Sequence, residues 1–144
     1  MNTTDLQRRI ALLEDLEAIR QLKARYCAIC DDDHNPAHIA SVFAPDGIWE
    51  GAGFGTAQGH EAIRDLFRKF RKLISFSQHN VMNPQIRVDG DRATGSWYFL
   101  GPFTFRKGNE DKWLAIRYDD DYVRSDGEWK LQHLRARVRA ERPH

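Results

Sequence analysis

The sequence has no excess of charge of either sign, since 22 lysine and arginine residues face 21 aspartate and glutamate residues. A net charge of +1 excludes the strongly basic field that attracts a protein to nucleic acid or to an anionic membrane surface. No run of about 18 apolar residues occurs, so no membrane-spanning helix is predicted. The polar residues 1–9 lack the apolar segment of a secretory signal, which predicts a cytoplasmic protein.

Cysteine is also scarce, because Cys27 and Cys30 are the only two. They lie three positions apart in a predicted helix, and no second pair with zinc-site spacing follows. We therefore expect two reduced, partly buried thiols. The sequence also lacks repeats, low-complexity segments and a Pro/Gly/Ser-rich linker, which predicts a single domain over residues 1–144.

Hydrophobic residues make up 41% of the chain, which suffices for one core in a domain of this length. Apolar positions recur at helical intervals up to Cys30 and predict a long first helix. Thr4 and Gln7 have the spacing of a capping box at its start. A short helix is predicted around residues 37–43, after a polar run that ends the first helix.

The second half of the chain changes its period. Apolar residues on one face predict a helix over residues 60–73. From Phe76 onward, apolar and polar residues alternate, as in strands with one buried face. Turn signals at residues 89–90, 107–109 and 125–127 divide this part into long antiparallel strands. Helices followed by a meander of strands predict an α+β fold.

Four short segments resemble a known family: LEAIR at residues 16–20, FAPDG at 43–47, GHEAI at 59–63 and DGEWK at 126–130. They resemble the SnoaL-like, nuclear-transport-factor-like superfamily, and the likeness spans nearly the whole chain. The resemblance implies a cone-shaped α+β barrel, in which N-terminal helices pack on a strongly curved antiparallel sheet. The superfamily includes enzymes and non-enzymatic binding proteins, so the fold alone does not give the function.

Within this superfamily the sequence is similar to the scytalone dehydratase and hexachlorocyclohexane dehydrochlorinase type. Those enzymes carry an aspartate at the end of the first long helix and a histidine on the first long strand, and Asp31 and His79 match these positions. The resemblance implies that His79 removes a proton from a substrate carbon while Asp31 holds the ring. Scytalone dehydratase has tyrosine where Cys30 stands and asparagine where Tyr118 stands, so scytalone is not the expected substrate.

A histidine beside a carboxylate suits elimination, because the pKa of a free histidine lies near 6.5. Asp31 and His79 are far apart in sequence, so only the fold can bring them together. The alternative is that His79 packs in the sheet and Asp31 only ends the helix. Either Tyr118 or Tyr98 could donate a hydrogen bond to a substrate carbonyl, and the strand pattern leaves open which one faces the pocket.

Aromatic side chains are the candidates for substrate binding. In proteins they belong to the core by default, but in a cone they can also line a pocket for a small hydrophobic cyclic or aromatic metabolite. The predicted pocket residues are Tyr26, Trp49, Phe54, Trp97 and Trp113.

Three other patterns give weaker indications. Residues 31–38 contain acidic and histidine side chains, but a solvated turn is more typical after a helix and no compact metal motif is present. The glycines in residues 51–55 lack the phosphate-loop pattern. Arg135, Arg137 and Arg139 alternate along the last strand and favour a solvated or subunit-facing stripe over nucleic acid. No metal, cofactor, nucleic-acid or membrane partner is predicted.

The sequence therefore favours a cofactor-independent lyase of the dehydratase type, or an isomerase of related mechanism, in a homodimer or higher homo-oligomer. Two alternatives stay open: a non-catalytic ligand-binding or assembly domain, and the small subunit of a ring-hydroxylating oxygenase. A His79 ring beyond hydrogen-bond reach of Asp31 would favour the non-catalytic alternative.

Overall fold

A computed structural model describes residues 2–143. Its two α-helices are α1, Thr3–Asp31, and α2, His60–Leu73, and short 3₁₀ helices cover Ile39–Val42 and Lys107–Asn109. The seven strands are β1, Phe43–Gly51; β2, Gly55–Gln58; β3, Ile74–Ser77; β4, Val81–Asp89; β5, Arg92–Phe105; β6, Glu110–Ser125; and β7, Glu128–Pro143. The helices pack on a strongly curved sheet, so the predicted cone-shaped α+β architecture is confirmed.

The strands form one sheet in the order β2-β1-β7-β6-β5-β3, and β4 pairs with the first part of β5. All pairs are antiparallel except β1 and β7, which run parallel with Phe43 opposite Leu131. The sheet is therefore mixed, and the prediction of a wholly antiparallel sheet was wrong in this respect. Alternation of apolar and polar residues determines the buried face of a strand, but it carries no information on the direction of its neighbour.

The long first helix buries apolar side chains only in its second half, from Ile19 onward. The apolar side chains of Leu6, Ile10 and Leu13 in the first half are between 46% and 64% exposed. The helix begins after Asn2, whose side chain accepts a hydrogen bond from the Asp5 backbone N–H at 2.8 Å. The predicted capping box was wrong, because Thr4 lies inside the helix rather than at its cap.

The second helix occupies the predicted residues, and Ile63 and Phe67 on its apolar face are fully buried. The predicted turns after β4 and β6 are confirmed by the pairing of Asp89 with Arg92 and of Ser125 with Glu128. Strand β2 was not predicted, because its glycine-rich sequence lacks a clear alternation.

The concave face of the sheet carries the core. Every second residue of β5 from Ala93 to Phe103 is buried, and so is every second residue of β6 from Leu114 to Tyr122. The two cysteines of α1 are buried as free thiols. Within residues 2–143, no helix combines the length and apolarity needed to span a bilayer.

Candidate active site

The carboxylate at the end of α1 meets a histidine ring next to the sheet. His79 lies in residues 78–80, which link β3 to β4, and not inside a long strand as the resemblance implied. Its Nδ1 lies 2.6 Å from Asp31 Oδ1. The His79 side chain is only 4% exposed, whereas the Asp31 side chain is 29% exposed. The two groups are therefore within hydrogen-bond reach, which proton transfer assisted by a carboxylate requires.

Further hydrogen bonds fix the Asp31 carboxylate. The backbone N–H of His79 donates to both of its oxygens, at 3.0 and 2.9 Å. The Ser77 hydroxyl donates to Oδ1 at 3.1 Å. Because Asp31 accepts from the backbone and the ring of one residue, it fixes the position of the whole of His79. Ser77 was not identified from the sequence, where a serine in a short strand gave no signal.

The segment that carries His79 is held against β5. The Gln78 backbone N–H donates to the Pro102 carbonyl at 3.1 Å, and the Leu100 N–H donates to the Asn80 carbonyl at 3.2 Å. A Cβ at Gly101 would lie 2.0 Å from the Gln78 carbonyl oxygen, so only glycine allows this close approach. Gly101 thus takes part in positioning His79, although no catalytic motif marks it.

Aromatic rings surround the His79 imidazole. The centroids of Phe99 and Phe103 lie 5.0 and 5.3 Å from its centroid, and Tyr26 approaches edge to face at 6.4 Å. These contacts exclude water from most of the ring. In such an environment the hydrogen bond to Asp31 is stronger than it would be in bulk solvent.

A cavity of about 50 Å³ adjoins this ring. Its walls are largely apolar, with a few polar groups from tyrosine, cysteine and histidine, which is the usual composition of a small-molecule site. The lining residues are Tyr26, Cys30, His34, Trp49, Phe54, Phe67, Phe70, Ile74, His79, Phe103, Leu114, Ile116, Tyr118, Ala136 and Val138.

Burial sets the protonation of several polar groups in the cavity. It raises the pKa of Tyr118 and of Tyr26 well above the usual value for tyrosine, so both remain neutral phenols. It also raises the pKa of Cys30, which favours the thiol. The pKa of His34 is lowered to about 3, first by burial and then by the nearby His79, so the His34 ring is neutral.

Three of the five aromatic residues that were predicted to line the pocket do so, and two do not. Tyr26, Trp49 and Phe54 line the cavity, as expected. Trp97 is buried outside it and donates its indole N–H to the Tyr122 hydroxyl at 3.0 Å. Trp113 is 39% exposed, because it precedes the inward-facing Leu114 on β6. The structure therefore does not place these last two tryptophans at the cavity.

The two candidate tyrosines also lie on different faces. Tyr118 is 2% exposed and lines the cavity. Tyr98 is 43% exposed, with the Arg117 guanidinium 3.4 Å from its ring centroid. Because successive residues of a strand point to opposite faces, Tyr98 turns outward when Phe99 turns inward. Tyr98 is thus removed from the candidate site, and Tyr118 remains.

The arginine stripe of β7 is paired with acidic residues of β6. Arg135 lies 3.0 Å from an Asp121 oxygen, and Arg137 lies 2.8 Å from an Asp119 oxygen. Neighbouring residues on the opposite face, including Ala136, line the cavity. Arg135 and Arg137 are therefore neutralised by ion pairs on the face of the sheet opposite the cavity.

A buried ion pair near Tyr118 was missed in the sequence. Lys23 Nζ lies 2.8 Å from Asp120 Oδ2, and both side chains are fully buried. The Tyr122 hydroxyl also donates to this oxygen, at 2.9 Å. Burial raises the pKa of Asp120, while Lys23 and Tyr122 act in the opposite direction. Strand alternation could have placed Asp120 inward, in phase with Tyr118 and Tyr122.

Residues 11–135 match the family model of the SnoaL-like domain. Hexachlorocyclohexane dehydrochlorinase 1 of Sphingobium indicum is 29% identical over 105 residues, which cover 72% of this chain and 68% of that protein. A crystal structure of hexachlorocyclohexane dehydrochlorinase LinA type 2 matches with a TM-score of 0.87 at 26% identity, covering 97% of this chain and 93% of that one.

A second structural match shows the shared fold alone, because its sequence identity is 23%. It is a candidate scytalone dehydratase from Novosphingobium aromaticivorans, with a TM-score of 0.82, covering 92% of this chain and 89% of that one. These matches confirm the resemblance that the sequence segments indicated.

Proposed function

Because this chain belongs to the SnoaL-like domain family, we propose that it is a cofactor-independent lyase that eliminates a leaving group from a small hydrophobic ring. Dehydrochlorinases among its relatives indicate a lyase-like enzyme. The observation that carries the proposal is the 2.6 Å contact between His79 Nδ1 and Asp31 Oδ1 beside an aromatic cavity. A fixed base next to a water-poor space is what proton abstraction from carbon requires.

In this proposal His79 is the general base. The Asp31 carboxylate accepts a hydrogen bond from Nδ1–H of His79, so the proton stays on Nδ1 and the lone pair of Nε2 is free to remove a proton from substrate carbon. The electrons of the broken C–H bond form a double bond, and the leaving group departs with its own electron pair. The resulting imidazolium is stabilised by the Asp31 carboxylate. If the proton returned to another carbon instead, the same pair would catalyse an isomerisation.

Tyr118 is the proposed hydrogen-bond donor. Its ring packs edge to face against Tyr26, with centroids 6.2 Å apart, and it lines the same cavity as His79. Because burial raises the pKa of Tyr118, its hydroxyl keeps the proton that it would donate to a substrate carbonyl or to the departing atom.

The walls of the cavity suggest the substrate class. They are mostly aromatic, and a chlorinated or oxygenated six-membered ring would fill them with apolar contacts. The volume of about 50 Å³ is smaller than the roughly 300 Å³ of an ordinary ligand pocket. A wall must therefore move on binding, and Phe54, which is 37% exposed beside a glycine-rich turn, is the proposed movable wall.

The deciding experiment compares His79→Ala with His38→Ala, a replacement of an exposed histidine. Chloride release from hexachlorocyclohexane and water loss from a cyclic β-hydroxyketone would be measured with both variants and the unmodified protein. We expect His79→Ala to lose about 10³-fold in kcat and His38→Ala to stay within twofold. Thermal unfolding would show that both variants are folded.

Two results would contradict this function. One is turnover by His79→Ala equal to that of His38→Ala, and the other is the absence of turnover by the unmodified protein on both substrate classes. The second result would favour the non-catalytic binding alternative. Association into a homo-oligomer stays a prediction, for which exposed apolar residues of the outer sheet face such as Leu100 offer a surface.

A further inference from the structure

Three potential metal ligands lie close together in the lining of the cavity. The Cys30 Sγ and one ring nitrogen each of His34 and His79 lie within 4.8 Å of one another. Cys30 and His34 are buried, and the His79 side chain is 4% exposed. Of the acidic and histidine residues in segment 31–38, this group includes only His34.

The end of α1 explains why two of these ligands converge. After Asp31 the chain turns sharply, with Asp33 and His34 in the left-handed region at φ of 53° and 46°. The His34 backbone N–H donates to the Cys30 carbonyl at 3.0 Å. This turn holds the imidazole of His34 near the thiol that precedes it by four residues. The spacing C-x-x-x-H was therefore the signal that the sequence offered.

The surroundings of His79 resemble those of a metal-bound histidine. Such histidines commonly donate their second ring N–H to a carboxylate, which fixes the orientation of the ring. Asp31 already accepts from His79 Nδ1 at 2.6 Å, so Nε2 is the nitrogen available to an ion. His34 is neutral and needs to lose no proton on binding, whereas the Cys30 thiol must release one.

The ligand types favour a borderline or soft divalent cation. One thiolate and two imidazoles suit Zn²⁺, and three protein ligands leave a fourth position open toward the cavity. If every ligand separation were 4.8 Å, an ion at the centre would lie about 2.8 Å from each atom. The sulfur would need to approach the ion by roughly 0.5 Å and each nitrogen by roughly 0.7 Å to reach zinc bond lengths.

We propose that Cys30, His34 and His79 form a Zn²⁺ site, and that the bound ion inhibits the enzyme by occupying the nitrogen that accepts the substrate proton. The inhibition rests on the proposed function, whereas the binding does not. The site would make the activity sensitive to the free zinc concentration, because one nitrogen cannot bind an ion and a proton at once.

The binding test uses Co²⁺ as a spectroscopic probe and Zn²⁺ in competition with a chelator, with reduced, tag-free protein. The compared variants are Cys30→Ala and Cys27→Ala, which remove buried thiols three residues apart in the same helix. We expect one Co²⁺ per chain, with a thiolate charge-transfer band in the unmodified protein and Cys27→Ala but not in Cys30→Ala. Zinc affinity should fall at least 100-fold in Cys30→Ala.

His34→Gln provides a second variant in case Cys30→Ala does not fold, which thermal unfolding would reveal. It should also weaken zinc binding at least 100-fold. Equal metal binding by Cys30→Ala and Cys27→Ala, or no stoichiometric binding by the unmodified protein, would overturn the site.

The inhibition is measured as the rate of each variant with zinc divided by its own rate without zinc. This ratio should be about 0.1 or lower for the unmodified protein and for Cys27→Ala. Addition of a chelator should restore the full rate of both proteins. The ratio for Cys30→Ala should stay near one. Zinc binding without any lyase activity would leave the metal site standing and remove the proposed function. Lyase activity without zinc binding would leave the proposed function standing and remove the metal site.

Discussion

Two of the charged side chains of helix α1 form pairs across the fold, and these two pairs have different surroundings. Asp31 meets His79 with 2.6 Å between Oδ1 and Nδ1, and Lys23 meets Asp120 with 2.8 Å between Nζ and Oδ2. The distances are similar. However, Lys23 and Asp120 are completely buried, whereas Asp31 is 29% exposed and His79 lines the cavity.

This difference in burial indicates a structural role for the pair of Lys23 and Asp120 and a catalytic role for the pair of Asp31 and His79. Around Asp120 the space is filled by protein: Tyr122 donates to it, and Trp97 donates to Tyr122. Among the residues that the structure describes, Asp120 Oδ1 is the buried side-chain atom left without a hydrogen bond. Because both side chains of this pair are fully buried, the pair offers no space for a substrate. The pair at the cavity is the one that a small molecule can reach.

The largest expected effect distinguishes the carboxylate of the dyad from a neighbouring acid. Asp31→Asn should lower kcat about 10³-fold, because an amide cannot stabilise the imidazolium that forms on His79. Asp32→Asn, at the exposed next position, should leave kcat within twofold. Steady-state rates of both variants, with circular dichroism as a folding check, make the comparison. Equal rates would show that the contact with His79 is structural, like that of Lys23 with Asp120.

The second effect concerns the buried pair of Lys23 and Asp120 and is a change in the free energy of unfolding. Asp120→Asn leaves the Lys23 ammonium buried without a counter-charge, which should lower the free energy of unfolding by about 3 kcal/mol. Urea unfolding would measure this. The double variant with Lys23→Met and Asp120→Leu removes both charges and should recover most of the loss. A loss below about 1 kcal/mol for Asp120→Asn would mean that water or relaxation compensates Lys23.

The third effect is a pH dependence of the free energy of unfolding that arises from His34, which lines the cavity. The pKa of His34 is about 3 in the folded protein and about 6.5 in an unfolded chain. Between these values the unfolded state binds more protons, so stability is full above pH 6.5 and is lost as the pH falls toward 3. From pH 7.5 to pH 5 the expected loss is about 2 kcal/mol.

Urea unfolding in the presence of a chelator would measure this loss at both pH values. The glutamine of the variant His34→Gln cannot be protonated in this range. The loss of stability that His34 causes between pH 7.5 and pH 5 should therefore be absent from this variant. Identical pH dependence in the two proteins would show that the His34 ring is protonated without unfolding.

Parts of this arrangement could be predicted because they depend on local periodicity. The face of α2 and the alternation along β5 follow from the residues of each element alone. The same alternation could have excluded Tyr98 once Phe99 was known to face inward. By contrast, the ion pair of Lys23 with Asp120 and the approach of Cys30 to within 4.8 Å of His79 join distant segments, and no local pattern specifies them. The Asp31 and His79 pair was predicted only through the resemblance to a family.

The smallest expected effect tests whether Phe54 limits the access of a substrate to the cavity. Phe54→Ala removes the exposed wall and should change KM by less than fivefold for the smaller of two ring substrates, which is below about 1 kcal/mol. A bulkier ring should gain more in kcat/KM than the smaller one, because its entry no longer requires movement of an aromatic side chain. Kinetics with two rings of different size measure this ratio. If the ratio does not change, Phe54 is not the wall that limits access, and the His79 ring must be reached from another side.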